Sequence, residues 1–255
     1  MKTLKIYIIT LLQILWIAGF AQNTQADEIF EKASQYYQNQ EYTQSIILYD
    51  SLLNMGIESS ELYYNLGNSY YKKEDYARAI LNYEKSKKIN PGDKDLEHNL
   101  AICNERIADK IDPLPTFVLT QWWNGFVNIF SEKQWAFINL FLWAAAMVFA
   151  YFFFTMVGGR GKKIVFWIGI TTLIFSLITG LSGYKQYQNT TRHKTAIVMT
   201  PTVNIKSSPS DESSTVFVIH QGTKIKLKVK IKDWYQIKIA NGNQGWIRED
   251  DLEKI

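Results

Sequence analysis

At 255 residues the chain is long enough for one or two ordinary domains, and 15% aromatic with 20% charged residues leans toward a membrane-associated protein. The formal charge of +4 does not mark a nucleic-acid binder. Residues 22–112 hold 16 acidic and 10 basic side chains, residues 195–255 hold 7 and 9, and the remaining positive charge flanks apolar runs, where it sets orientation. A single cysteine, Cys103, excludes an internal disulfide and a thiolate metal site, and no C-x-x-C, H-E-x-x-H, P-loop or G-x-G-x-x-G pattern occurs. His98, His193 and His220 are scattered and read as plain surface or core residues. With no Ser/His/Asp or Cys/His set, no catalytic residue, metal site or cofactor is expected, and the chain reads as a non-enzyme.

Lys2 and Lys5 precede an apolar run, Ile6 to Phe20, and Gly19-Phe20-Ala21 puts small residues at the −3 and −1 positions of a cleavage site. This is the pattern of a secretory signal peptide over residues 1–21. The run is shorter than the roughly 20 residues a spanning helix needs, and an uncleaved anchor is the alternative. With no cysteine beside the cleavage site, a bacterial lipoprotein is excluded.

Residues 22–112 carry a helical repeat. In 61–93, Tyr63, Leu66, Gly67, Tyr70, Ala79, Tyr83 and Pro91 fall at the offsets of the tetratricopeptide pattern. Gly67 and Ala79 are small where two helices cross, the tyrosines fill the space around them, and Pro91 stops the second helix. A shift of 34 repeats the pattern faintly at Ile29, Ala33, Tyr36, Ser45 and Tyr49, and forward only Leu100 and Ala101 survive. The expectation is two full repeats and a capping helix. The register puts Phe30, Ser34, Tyr37, Tyr64, Asn68, Tyr71, His98 and Ile102 on the concave groove, a face suited to an extended peptide or partner helix.

Pro113 and Pro115 end the array. Residues 113–133 form a linker whose Phe117, Trp122, Trp123, Phe126 and Phe130 suit the membrane interface. Ser131 with Gln134 makes a capping box. Two uncharged apolar runs follow, residues 134–157 and 164–184, joined by the loop 158–163 (GGRGKK) and followed by a linker, 185–194. Arg160, Lys162 and Lys163 favour the cytoplasmic side. The second span alone is a tie, because Lys185, Arg192 and Lys194 follow it, and a cleaved signal breaks it: it delivers the repeats outside, so the hairpin turn faces the cytoplasm and both flanking domains face the periplasm of an inner membrane. Cys103 is tolerable there if it is buried.

From residue 195 the period changes to strands, with Ile225, Leu227, Val229 and Ile231 alternating against Lys224, Lys226, Lys228 and Lys230. The lysine row reads as a solvated or edge-protecting face. Sixty such residues make a small all-β barrel. The stretches VNIKSSPS, QGTKIKL, DWYQIKI and NGNQGWI resemble a bacterial SH3-type domain, with Lys206 where that family usually has Arg. Trp234, Tyr235 and Trp246, with Lys206, are its ligand candidates, although Trp246 after Gly245 suits packing better than display.

The fold class is therefore multi-domain: an all-α tetratricopeptide solenoid, a two-helix transmembrane hairpin and a small SH3-like barrel. That order, with DKIDPLPTFVLTQWWN, resembles the BatE-type family of the aerotolerance operon of Bacteroides-type bacteria. The resemblance implies a membrane-anchored, non-enzymatic component acting beside von Willebrand A-type membrane proteins, another repeat protein and a MoxR-type ATPase in envelope stress. Two readings stay open. One is a scaffold whose groove holds a partner protein. The other is a sensor whose SH3-like domain reads a peptidoglycan peptide.

Overall fold

The structure, a computed structural model, describes residues 24–191 and 194–255. The expected signal peptide and His193 lie outside the described residues. Five helices open the chain: α1 (Thr24–Gln38), α2 (Tyr42–Asn54), α3 (Ser60–Lys72), α4 (Tyr76–Ile89) and α5 (Lys94–Asn104). They form two helix pairs and a lone fifth helix. Local chemistry sets their starts. Ser59 Oγ accepts from Leu62 N, Asp75 from Arg78 N, and Asp93 from Leu96 N, each satisfying an amide of the first turn. Both intra-pair turns use a left-handed residue at the same repeat position, Gln40 (φ 64°) and Glu74 (φ 62°).

The helix crossing is as tight as its small residues suggest. A Cβ on Gly67 would sit 2.7 Å from Cδ1 and Cε1 of Tyr83. Ala33, Ser45, Ala79 and Tyr83 are all buried, and Ser45 and Ser69 share a hydrogen bond of 3.1 Å inside the array.

Helix α6 (Val118–Val127) is almost wholly exposed, and Ser131 makes the full capping box at the start of α7 (Glu132–Thr155). Helix α8 (Arg160–Thr191) returns beside α7 after Gly158 (φ 45°) and Gly159 (φ 96°). Both are long and apolar enough to cross a membrane. At 1.5 Å per residue α7 is about 36 Å long and α8 about 48 Å, against roughly 30 Å of hydrocarbon. The surplus of α8 absorbs most of the expected loop (158–163) and linker (185–194) into helix, because nothing in KQYQNTT breaks one. Its end reaches the repeats, where Thr190 Oγ1 meets Lys88 O at 3.4 Å. Between the two helices, Asn139 Nδ2 donates to Ser176 O (2.6 Å) and Thr179 Oγ1 (3.1 Å), and Gly169, Gly180 and Gly183 let them approach.

Seven antiparallel strands follow: β1 (Thr195–Val198), β2 (Thr202–Lys206), β3 (Thr215–His220), β4 (Lys224–Ile231), β5 (Trp234–Lys238), β6 (Gln244–Arg248) and β7 (Leu252–Lys254). Their order is β3-β2-β6-β5-β4-β1-β7, an open sheet with β3 and β7 at its edges, so the expected barrel does not close. The alternation read along β4 also breaks. A register shift between Leu227 and Lys230 inserts a residue, so Ile225 and Leu227 are buried while Val229 and Ile231 are 50% and 45% exposed.

The sheet closes the open end of the helical array. Ile197 and Ile255 are buried with Ile80, Leu96, Leu100 and Cys103 in one cluster. Helix α5 has no partner helix among the described residues, and the apolar surface such a helix would cover is taken by Ile197 of β1 and Ile255. The segment after α5 straps the two together. Ile111 packs on the sheet's core and Ile107 meets Gly222. Asp109 Oδ2 accepts from His220 N (2.7 Å) and Thr223 Oγ1 (2.5 Å), and its Oδ1 lies 2.8 Å from His220 Nδ1. His220, read from the sequence as a plain residue, belongs to this strap.

Candidate functional site

The concave side of the array holds a cleft of about 180 Å³ lined by Tyr37, Asn68, Tyr71, Lys72, Asn99 and Ile102, with Tyr83 at its floor. Helices α1, α3 and α5 each contribute to it, and helical spacing decides which residues: Asn68 and Tyr71, like Asn99 and Ile102, are three apart and share a face. A hydrogen-bond network organises the floor. Tyr83 Oη donates to Asn68 Oδ1 at 2.6 Å, and Asn99 Nδ2 donates to Asn68 Oδ1 and Tyr64 Oη, both at 3.1 Å. The Tyr83 hydroxyl is held neutral, because burial pushes its pKa far up. Asn68 spends its carbonyl on two donors, Tyr83 and Asn99, and its amide Nδ2 has no protein acceptor among the described residues.

The same arrangement recurs one repeat earlier. Ser34 Oγ lies 2.9 Å from Tyr49 Oη, and Asn65 hydrogen-bonds the same hydroxyl. Ser34, Tyr49 and Asn65 map onto Asn68, Tyr83 and Asn99 under a shift of 34. Each unit thus carries a buried tyrosine whose hydroxyl lies between two polar side chains.

Against the register reading, the structure brings Tyr37, Asn68, Tyr71 and Ile102 into one cleft, with Tyr64 beside it through Asn99 and through the Tyr83 ring at 5.9 Å. Ser34 serves Tyr49 instead. Phe30 falls elsewhere: its ring packs edge-on to Tyr49 at 5.5 Å, and it lines a separate hollow with Leu52 and Leu62 at the first turn of the array. His98 is exposed and outside the cleft, because the face of α5 that meets α3 is that of Asn99, one residue and about 100° further round. Asn99 and Lys72 were missed. The 34-residue spacing of Asn65 and Asn99, each 16 positions after its tyrosine, is the signal that finds Asn99.

The four sheet candidates do not make one site. Strand alternation sends Trp234 to the outer face and Tyr235 to the inner one, where Tyr235 packs on the core. Lys206, Trp246 and Trp234 share the outer face by register. Lys206 Nζ is spent on Ser213 O at 3.0 Å, inside its own loop. Arg248, which the sequence reading passed over, lies 5.3 Å from the Trp234 ring and pairs with Asp211. Trp246 is half-buried. It follows Gly245, where a Cβ would sit 2.4 Å from Ile205 Cγ2, so the glycine is needed for β6 to lie against β2.

Comparison with known families agrees with this architecture. Residues 60–93 match the tetratricopeptide repeat model. Residues 201–253 match the bacterial SH3 domain model. No curated protein matches the chain. Modules of these two kinds bind proteins, peptides or other ligands and are typically non-catalytic. Among the described residues, no group of three or more His, Cys, Asp or Glu could hold a metal ion.

Proposed function

We propose that this chain is a non-enzymatic scaffold of a bacterial inner membrane, whose tetratricopeptide groove holds an extended segment of a partner protein. The observation that carries the reading is the Tyr37–Asn68–Tyr71–Asn99 cleft: aromatic walls flank an amide donor oriented by its own network, which suits a peptide carbonyl. Helices α7 and α8 anchor it. The basic turn of Arg160, Lys162 and Lys163 faces the cytoplasm, and the repeats and SH3-like domain stand in the periplasm. The buried Cys103, its thiol pushed up to about 12 by burial, suits that oxidising side because it is inert there. The BatE-type resemblance supports placing the partner among von Willebrand A-type, repeat and MoxR-associated proteins of an aerotolerance complex. Peptidoglycan sensing through the SH3-like domain has less to stand on, since Tyr235 faces inward and Lys206 is engaged.

Photo-crosslinking from Tyr64 and Asn68 in living cells tests this. Capture of membrane or periplasmic proteins, reduced by Asn99→Ala, is the expected result. Capture of cytoplasmic proteins overturns the topology, and crosslinks indifferent to Asn99→Ala overturn the groove.

A further inference from the structure

A scaffold that only holds a peptide leaves the lysines of β4 and β5 unexplained. Lys226 stands directly opposite Lys238 across the two strands. Like charges facing each other weaken a sheet. Neither has a carboxylate partner among the described residues, whereas the neighbouring Lys224 pairs with Glu84 and Lys230 with Glu249. Lys228 completes the group, its Nζ 3.0 Å from Gln244 Oε1.

What lies beside these lysines points to their counter-charge. At the tip between β5 and β6, a Cβ on Gly242 would lie 2.8 Å from Leu114 Cδ1 and 3.9 Å from Lys238 Cε, so Leu114 and the lysine stem flank the same glycine. Leu114 N also donates to Ala240 O at 3.1 Å. From Leu114 the chain runs directly into the most exposed apolar stretch next to the folded domains: Phe117 and Trp122 are each 72% exposed and Leu119 61%. The far end of that stretch is fixed to the membrane hairpin, where Val127 O accepts from Trp135 Nε1 at 2.9 Å. Aromatic side chains of this kind settle at the bilayer interface, and adjoining lysines attract acidic headgroups.

We propose that the sheet face carrying Lys226, Lys228 and Lys238 rests on anionic lipid headgroups of the leaflet from which α7 and α8 emerge, with α6 lying in the interface as its foot. The inference rests on the reading of α7 and α8 as membrane spans. It gives the SH3-like domain a task other than ligand reading. Together with the contact of Gly92 on Ile129 O and of Thr190 on Lys88 O, it fixes the height and tilt of the groove above the bilayer.

The test uses the full chain in nanodiscs of phosphatidylcholine, alone or mixed with phosphatidylglycerol, doped with a headgroup-photoactivatable lipid. Adducts are mapped by mass spectrometry. Adducts at the ends of α7 and α8 are expected in both discs. Adducts on residues 224–244 should rise on the order of tenfold in the anionic disc, fall back in K226E/K238E, and be suppressed in the wild type by about 0.5 M salt. The salt arm stands even if the double variant fails to fold. Labelling of 224–244 that ignores lipid charge and salt, or is missing while the hairpin ends are labelled, overturns the proposal alone. Absence of labelling at the hairpin ends overturns the spanning reading and the proposal with it.

Discussion

Gly67→Ala is the sharpest probe of how the groove is built. The added methyl would lie 2.7 Å from two ring carbons of Tyr83, against 3.4–4 Å for ordinary contact. Tyr83 is 1% exposed and its hydroxyl is tied to Asn68, so the ring has nowhere to swing without breaking that 2.6 Å bond. Overpacking costs about 1–3 kcal/mol and the lost hydrogen bond about 0.5–1.5 kcal/mol. Alanine returns about 1 kcal/mol of helix propensity. The net loss is about 0.5–3.5 kcal/mol, a fall of roughly 1–14 °C in melting temperature. Thermal melts of the full chain in detergent, followed by far-UV and tyrosine circular dichroism, read both stability and ring displacement. Gly125→Ala is the control: it is also helical, has open space around its Cβ, and should gain about 0.5–1 kcal/mol. If Gly67→Ala is as neutral or stabilising as Gly125→Ala, the close crossing does not exist as described.

Asp109→Ala should cost about 2 kcal/mol by stranding the Thr223 hydroxyl and the His220 amide, seen as earlier unfolding of the sheet in urea. Burial pushes the Asp109 carboxyl up, but the bonds from Thr223 and His220 outweigh it and hold the carboxyl below its ordinary 3.8, so the part of the stability linked to its ionisation is complete above that pH and is lost as pH falls through the lower folded value. The variant should lose that acid-side dependence. Cys103, the chain's one thiol and 0% exposed, should react with a thiol reagent at pH 8 only on opening of the array, and Ile197→Asp should speed labelling at least tenfold, about 1.4 kcal/mol, since it puts a charge into the shared core. A labelling rate unchanged by Ile197→Asp would mean that the sheet does not cap the repeats. Asn139→Leu should weaken the α7–α8 pairing by less than about 2 kcal/mol in a detergent-denaturation assay, because interhelical hydrogen bonds in membranes are individually modest.

Local rules and periodicity determined much of this protein from its sequence. Gly67, Ala79 and Pro91 announce a helix crossing and its end, Ser131 and Gln134 a helix start, and two uncharged runs a pair of helices long and apolar enough to cross a membrane, because each is a property of neighbours along the chain or of a fixed period. The SH3-like strands were readable for the same reason, though not the bulge in β4 that turns Val229 and Ile231 outward, since a register shift depends on the partner strand. The lining of the cleft was partly legible: the period put Tyr37, Asn68, Tyr71 and Ile102 on one side of the array, but which face of α5 meets α3 is set by packing, so Asn99 rather than His98 lines it. Only the tertiary structure decided that the sheet caps the helical array through Ile197, that Asp109 straps it there, and that Lys226 and Lys238 face each other with no carboxylate partner among the described residues. Those contacts join residues about a hundred positions apart or across strands, where nothing in the local pattern records the neighbour, and burial and shape alone choose it.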